Sequence, residues 1–241
     1  MNTNTVHLMV QGRGGVGKSF GSALLAQYLV HCDVPVSCYD TDPVNDTFSQ
    51  YAAFKAQRID ILGPDKNIDA RAFDSLVDAL LWDDKTAVID NGASTFVPLM
   101  SYLVENHVLD LLQEAGRPVL LHSVLTGGQA FDDTLQGLKA VLATHQAPVV
   151  VWINEYFGPV QRDGRGFTDS DLYRDHRERI RGIVRLRRGN GDTFGKDLEM
   201  MLQHKLTFAE ALASERFGIM PRQRLKMTRD AIFEQISDIG L

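Results

Sequence analysis

Cysteine is scarce in this chain: Cys32 and Cys38 are the only two among 241 residues. Two thiols cannot build the disulfide framework of a small secreted domain, so the composition points to a reducing, cytoplasmic setting. Long hydrophobic runs are also missing. No apolar stretch reaches the roughly 20 residues that a membrane-spanning helix needs, and no secretory leader precedes the first apolar segment. A chain without membrane insertion is expected. The terminal stretch Asp230 to Leu241 is amphipathic but acidic, whereas a helix lying on a membrane surface carries a basic face. The 7 histidines are scattered without zinc-ligand spacing. Internal repeats, low-complexity tracts and long linkers are absent, which excludes solenoid and array architectures.

Hydrophobic residues make up 44% of the chain, enough for a real core. Charge is distributed unevenly: residues 1–159 hold 9 Lys and Arg against 18 Asp and Glu, and residues 160–241 hold 16 against 13. One domain spanning 1–241 is expected, with a more basic, helix-rich part from about 160. Apolar strand-length runs alternate with helical ones, as in a mostly parallel twisted sheet flanked by helices, an α/β fold. Strands are expected at Val6–Gln11, Pro35–Asp40, Arg58–Leu62, Thr86–Gly92, Val119–Leu125, Pro148–Asn154 and, at an edge, Gly182–Leu186. Helices are expected at 19–30, 69–82, 96–114 (one or two), 129–144, 170–179, 196–204, 208–213 and 221–236, with a loop over 158–166.

The densest chemistry is Gly12-Arg13-Gly14-Gly15-Val16-Gly17-Lys18-Ser19. It fits G-x-x-x-x-G-K-[ST] and lies between an apolar strand and a helix, the context this motif requires. Glycines let the backbone curl until its N–H groups point inward at phosphate oxygens. The helix behind adds the positive end of its dipole. Gly12, Gly14, Gly15, Val16, Gly17, Lys18, Ser19 and the following Phe20 are therefore the expected ATP-binding residues. Lys18 reaches for the β- and γ-phosphates, and Ser19 for Mg²⁺.

Ligands of open α/β sheets sit at the carboxyl ends of the strands, where three acids converge. Asp90, after Val88 and Ile89, suits a Walker-B role near Mg²⁺. Asp40 is a second candidate for the metal or its waters. Asp42 is placed to orient or deprotonate an attacking water; a capped turn before Pro43 is its plainer reading. Asn154 ends a buried strand, where its amide can meet an adenine edge or simply form a turn. Arg13 lies inside the loop, positioned to extend across the phosphates of a second copy as an arginine finger, or to rest in solvent.

Gly12 to Ser19, Asp40-Thr41-Asp42-Pro43 and Ile89-Asp90 together resemble the deviant Walker A ATPases of the ParA/MinD family. The resemblance implies ATP and Mg²⁺ as cofactors, slow hydrolysis and a nucleotide-dependent homodimer that positions cargo. It maps the family's signature lysine onto Arg13, which keeps the charge but changes reach and hydrogen bonding. The second switch departs from the proline-rich turn of partition ATPases, reading Asp90-Asn91-Gly92-Ala93-Ser94. With Asp40-Thr41-Asp42-Pro43-Val44-Asn45, Thr126-Gly127-Gly128-Gln129-Ala130 and Arg222-Gln223-Arg224-Leu225-Lys226, it resembles the TraL-type conjugal transfer proteins of IncP-type plasmids. That narrower likeness implies an accessory ATPase of plasmid transfer that meets conjugation-apparatus proteins. A ParA-like partition ATPase and a nucleotide-regulated scaffold with negligible hydrolysis are the alternatives.

Two basic stripes suit non-specific DNA or solvent. Arg174, Arg177, Arg181 and Arg185 would align along a continuing helix, and Arg222, Lys226 and Arg229 along the last one. Acidic residues interleave with the first stripe, and no aromatic platform accompanies either.

Overall fold

The computed structural model describes residues 4–241. In chain order it contains β1 (Val6–Met9), α1 (Lys18–His31), β2 (Val36–Asp40), β3 (Gln57–Arg58), α2 (Ala72–Trp82), β4 (Thr86–Asp90), α3 (Phe96–Glu105), α4 (Val108–Glu114), β5 (Val119–Thr126), α5 (Phe131–Thr144) and β6 (Val149–Asn154). There follow a small hairpin of β7 (Gln161–Arg162) and β8 (Arg165–Gly166), then α6 (Asp171–Asp175), β9 (Ile180–Leu186), α7 (Lys196–Gln203), α8 (Phe208–Ala213) and α9 (Ile219–Ile239). Seven strands form one sheet in the order β3-β2-β4-β1-β5-β6-β9, and every pairing in it is parallel. The α/β fold read from the alternating runs is therefore present.

The strands are apolar on both sides because both faces of the sheet are covered; all residues of β4, β5 and β6 are buried. One layer, α2 to α5, packs on Leu8, Ile89, Leu121 and Val151. The opposite layer, α1 with α7, α8 and α9, packs on Met9, Val88, Val124 and Trp152. Strand β1 lies at the centre, between β4 and β5, so the glycine loop emerges at the middle of the carboxyl edge, flanked by the ends of β4 and β5.

Several boundaries differ from the sequence reading. Strand β1 stops at Met9, and Gln11 turns inward, donating from Nε2 to the carbonyls of Val124 and Thr134 (2.9 and 3.0 Å). Strand β3 is only Gln57–Arg58, since Leu62 pairs instead with Ile68 in a local bridge. The stretch 96–114 is two helices, divided at His107, whose φ is +49°. The loop over 158–166 contains the β7–β8 hairpin, turning through Asp163 and Gly164 at φ +50° and +73°. The helix expected over 170–179 ends at Asp175. Arg179 then leaves the surface: its guanidinium donates to the carbonyls of Leu142 (2.7 Å) and His145 at the end of α5. The chain enters β9 directly afterwards, so Arg181 and Arg185 sit on a strand and the first basic stripe does not exist as a helical face.

Candidate functional site

The loop between β1 and α1 takes the shape its glycines permit. Gly15 and Gly17 have φ of +73° and +101°, a region closed to most side chains. Space is a second constraint: a Cβ on Gly17 would lie 2.8 Å from Asn154 Nδ2. Helix α1 starts at Lys18 and has no acid in its first turn, so no residue of that turn offsets the positive end of its dipole.

A cleft of about 590 Å³ opens on this loop, within the size range of small-molecule sites. Gly14, Gly15, Gly17, Lys18, Ser19, Phe20 and Asp42 line it. Lys18 is buried, and its Nζ donates to the Arg13 carbonyl at 2.9 Å, spanning the loop. Burial lowers its pKa, while the charges of Asp90 and Asp42 oppose that shift.

Asp90 lies behind the loop and is fully buried. Its Oδ1 accepts from Ser22 Oγ at 2.9 Å. Burial pushes its pKa up to about 7; a hydrogen bond from Ser19 pulls the other way, and the neighbouring Asp40 carboxylate adds to the rise. A carboxyl poised this close to neutrality beside a serine hydroxyl fits an ion that arrives with a phosphate, because a cation favours the ionised form. Among the described residues no cluster of three or more His, Cys, Asp or Glu could hold a metal unaided.

Asp40 pairs in register with Asp90 on the adjacent strand. Both of its oxygens are already used: Oδ1 accepts from the Asp42 N–H (3.0 Å), and Oδ2 from the Ser49 N–H (2.9 Å). It shapes the loop after β2, and burial raises its pKa. Asp42 lines the cleft while its Oδ1 caps the following turn, accepting from the N–H groups of Val44 and Asn45 (2.9 and 3.0 Å). The turn and the cleft-facing position coexist.

Like Asp40 and Asp90, the sequence-predicted residues Gly12, Arg13, Val16 and Asn154 do not line the open cleft. Asn154 Nδ2 donates to the Val16 carbonyl at 2.9 Å, and its Oδ1 accepts from the Tyr156 N–H at 3.1 Å. It braces the glycine loop, with one hydrogen bond made at each end of the amide. Gly12 backs onto Phe96, whose Cδ1 would lie 2.9 Å from an added Cβ. Arg13 neither lines the cleft nor rests free in solvent. Its Nη1 pairs with Asp133 of α5 at 3.2 Å, both side chains being about half exposed (53% and 56%).

Other site residues gave no local signal. Ser22 reaches Asp90 one helical turn beyond the motif. Asn91 Oδ1 accepts from Thr41 (3.1 Å) and from Thr95 (2.6 Å), tying the loops after β2 and β4 together. Tyr51, Leu202 and Lys205 complete the wall of the cleft from distant parts of the chain. The second basic stripe is on α9 as expected, but Arg222 donates to the Ser214 carbonyl and Arg229 to Asp230.

No family model matches the chain. Among solved structures, the MinC:MinD cell division complex of Aquifex aeolicus superposes with a TM-score of 0.55 at 12% identity, covering 95% of this chain and 96% of that one. The septum site-determining protein MinD of Pyrococcus horikoshii, solved with Mg-ADP, gives 0.51 at 14% identity and 98% coverage of both chains. These likenesses establish the P-loop α/β fold. Two curated Escherichia coli proteins, both named Protein TraL, align over nearly the whole length. One is 44% identical over 233 residues, 96% of each chain, and the other 41% identical over 238 residues, 98% of each. With a glycine loop, a buried Asp90 behind it and a MinD-like parallel sheet beneath that identity, the chain belongs to the TraL family.

Proposed function

We propose that this protein binds ATP with Mg²⁺ at the glycine loop and hydrolyses it slowly, as a cytoplasmic accessory ATPase of conjugative plasmid transfer. The observation that carries this reading is the cleft itself: Gly14, Gly15, Gly17, Lys18 and Ser19 line it at the acid-free start of α1, with Asp90 buried behind them and hydrogen-bonded by Ser19. When bound, Mg²⁺ neutralises developing charge on the phosphates. The chain's own residues do the rest. The amides and Lys18 hold the phosphates, Ser19 and Asp90 receive the metal with its waters, and Asp42 orients the attacking water. TraL kinship supports the conjugation setting, and the MinD-like fold supports a homodimer closed around nucleotide. Apparatus proteins and non-specific DNA are candidate partners.

A second reading, a nucleotide-regulated scaffold with negligible hydrolysis, is favoured by one observation: Arg13 is held by Asp133 of its own chain. Titration with a fluorescent ATP analogue and phosphate-release assays separate these readings. Lys18→Ala should abolish binding, and Asp42→Ala should preserve binding but stall release. ATP affinity unchanged in Lys18→Ala would refute the nucleotide site. Tight binding with no phosphate release by the wild type would leave the scaffold.

A further inference from the structure

Helix α7 ends in a Schellman turn. The Leu206 N–H donates to the Met201 carbonyl and the Lys205 N–H to the Leu202 carbonyl, both at 3.1 Å. This closure needs a left-handed residue just past the cap, a place that glycine usually fills. Here it is Lys205, with φ +52°. A side chain held in a disfavoured backbone region is an outlier from which a functional role can be inferred.

The side chain goes to the phosphate cleft. Lys205 lines it together with Gly15, Lys18, Ser19 and Asp42. Its Nζ lies 5.9 Å from the centroid of the Tyr51 ring. Among the described residues no carboxylate forms an ion pair with it. An aromatic face supports the ammonium without neutralising it, so the charge stays available to the cleft. Arg13, the glycine loop's cation besides Lys18, is turned away to Asp133.

We infer that Lys205 is a second phosphate-binding cation, supplied in cis by the C-terminal part of the chain to the terminal phosphates of the bound nucleotide. The inference rests on the nucleotide reading above and adds a residue that lies outside the glycine loop. A glycine at this position would keep the turn but remove the ammonium from the cleft.

The test uses the full chain, isothermal titration with ATP and Mg²⁺, and thermal melts without nucleotide. Lys205→Gly relieves the left-handed backbone, so its Tm should equal or exceed that of the wild type, while ATP affinity falls about tenfold, the scale of one lost charge-assisted bond. Lys205→Gln keeps the backbone and removes the charge, and should lose affinity to the same degree. ATP binding by either variant within twofold of the wild type would overturn the inference. A lower Tm in Lys205→Gly with unchanged affinity would make Lys205 only a cover for Tyr51. A wild type that binds no ATP would instead sink the nucleotide reading, and Lys205 with it, whereas wild-type binding abolished by Lys18→Ala leaves the Lys205 variants to decide their own case.

Discussion

Gly92 stands where the loops after β2 and β4 come closest. A Cβ there would lie 2.7 Å from Asp42 Cγ and 2.9 Å from its Cα. No flexible side-chain tip could simply swing aside, so the Asp42 backbone must shift. Gly92→Ala should therefore cost about 1–3 kcal/mol by overpacking and slow phosphate release about tenfold through a displaced Asp42, with ATP affinity little changed. Release at the wild-type rate would mean that Asp42's placement does not matter to the reaction. At this scale the sequence reveals whatever is contiguous. Gly12 to Ser19 is a single run whose spacing encodes its own geometry. Ser22, Tyr51 and Lys205 carry no such mark, because their roles exist only once α1, the loop after β2 and the end of α7 meet at one cleft.

Between elements, the loops after β2 and β4 share one acceptor. Asn91 Oδ1 receives both the Thr41 and Thr95 hydroxyls, all three residues being buried. Displacement of one loop strains the other, the kind of coupling by which a nucleotide-sensing turn passes on its state. A double-mutant cycle with Thr41→Val and Asn91→Ala should give a coupling free energy of about 1 kcal/mol in urea unfolding. Additive losses would show that the loops act independently. The same scale explains a failed expectation. Strand runs such as Val149 to Asn154 are legible because burial on both faces writes itself into composition. The arginines at 174, 177, 181 and 185 have helical spacing, yet the helix ends at Asp175. Nothing local reveals that Arg179 caps α5 or that Ile180 begins a strand alongside β6; both depend on a partner element some thirty residues away.

Across the whole molecule, the sheet centre contains a buried polar chain with a consequence for acid stability. Trp152 Nε1 donates to His122 Nδ1 at 3.0 Å, and His122 Nε2 meets His7 Nδ1 at 3.0 Å. The indole bond leaves His122 Nδ1 as an acceptor, so its proton sits on Nε2 and is given to His7. Burial lowers the His7 pKa to about 4 and that of His122 well below its ordinary value, and burial also lowers His145. Between the ordinary value near 6.5 and pH 4, the unfolded chain binds protons that the folded one refuses, so these histidines make stability fall as pH falls. Asp90 acts in the opposite sense. Its folded pKa of about 7 exceeds the ordinary carboxylate value, so from pH 7 downward the folded state takes up the proton first and gains stability; Asp40, also raised, leans the same way. The wild type should therefore show a shallow pH dependence from 7 to 5 because the two trends oppose each other. Asp90→Asn removes the larger opposing contribution. Urea midpoints for that variant should drop clearly between pH 6.5 and 4.5, approaching about 1.4 kcal/mol per pH unit for each histidine that stays neutral in the fold. A flat profile in Asp90→Asn would mean that His7 and His122 take up protons inside the folded sheet, and that the chain from Trp152 does not hold them neutral.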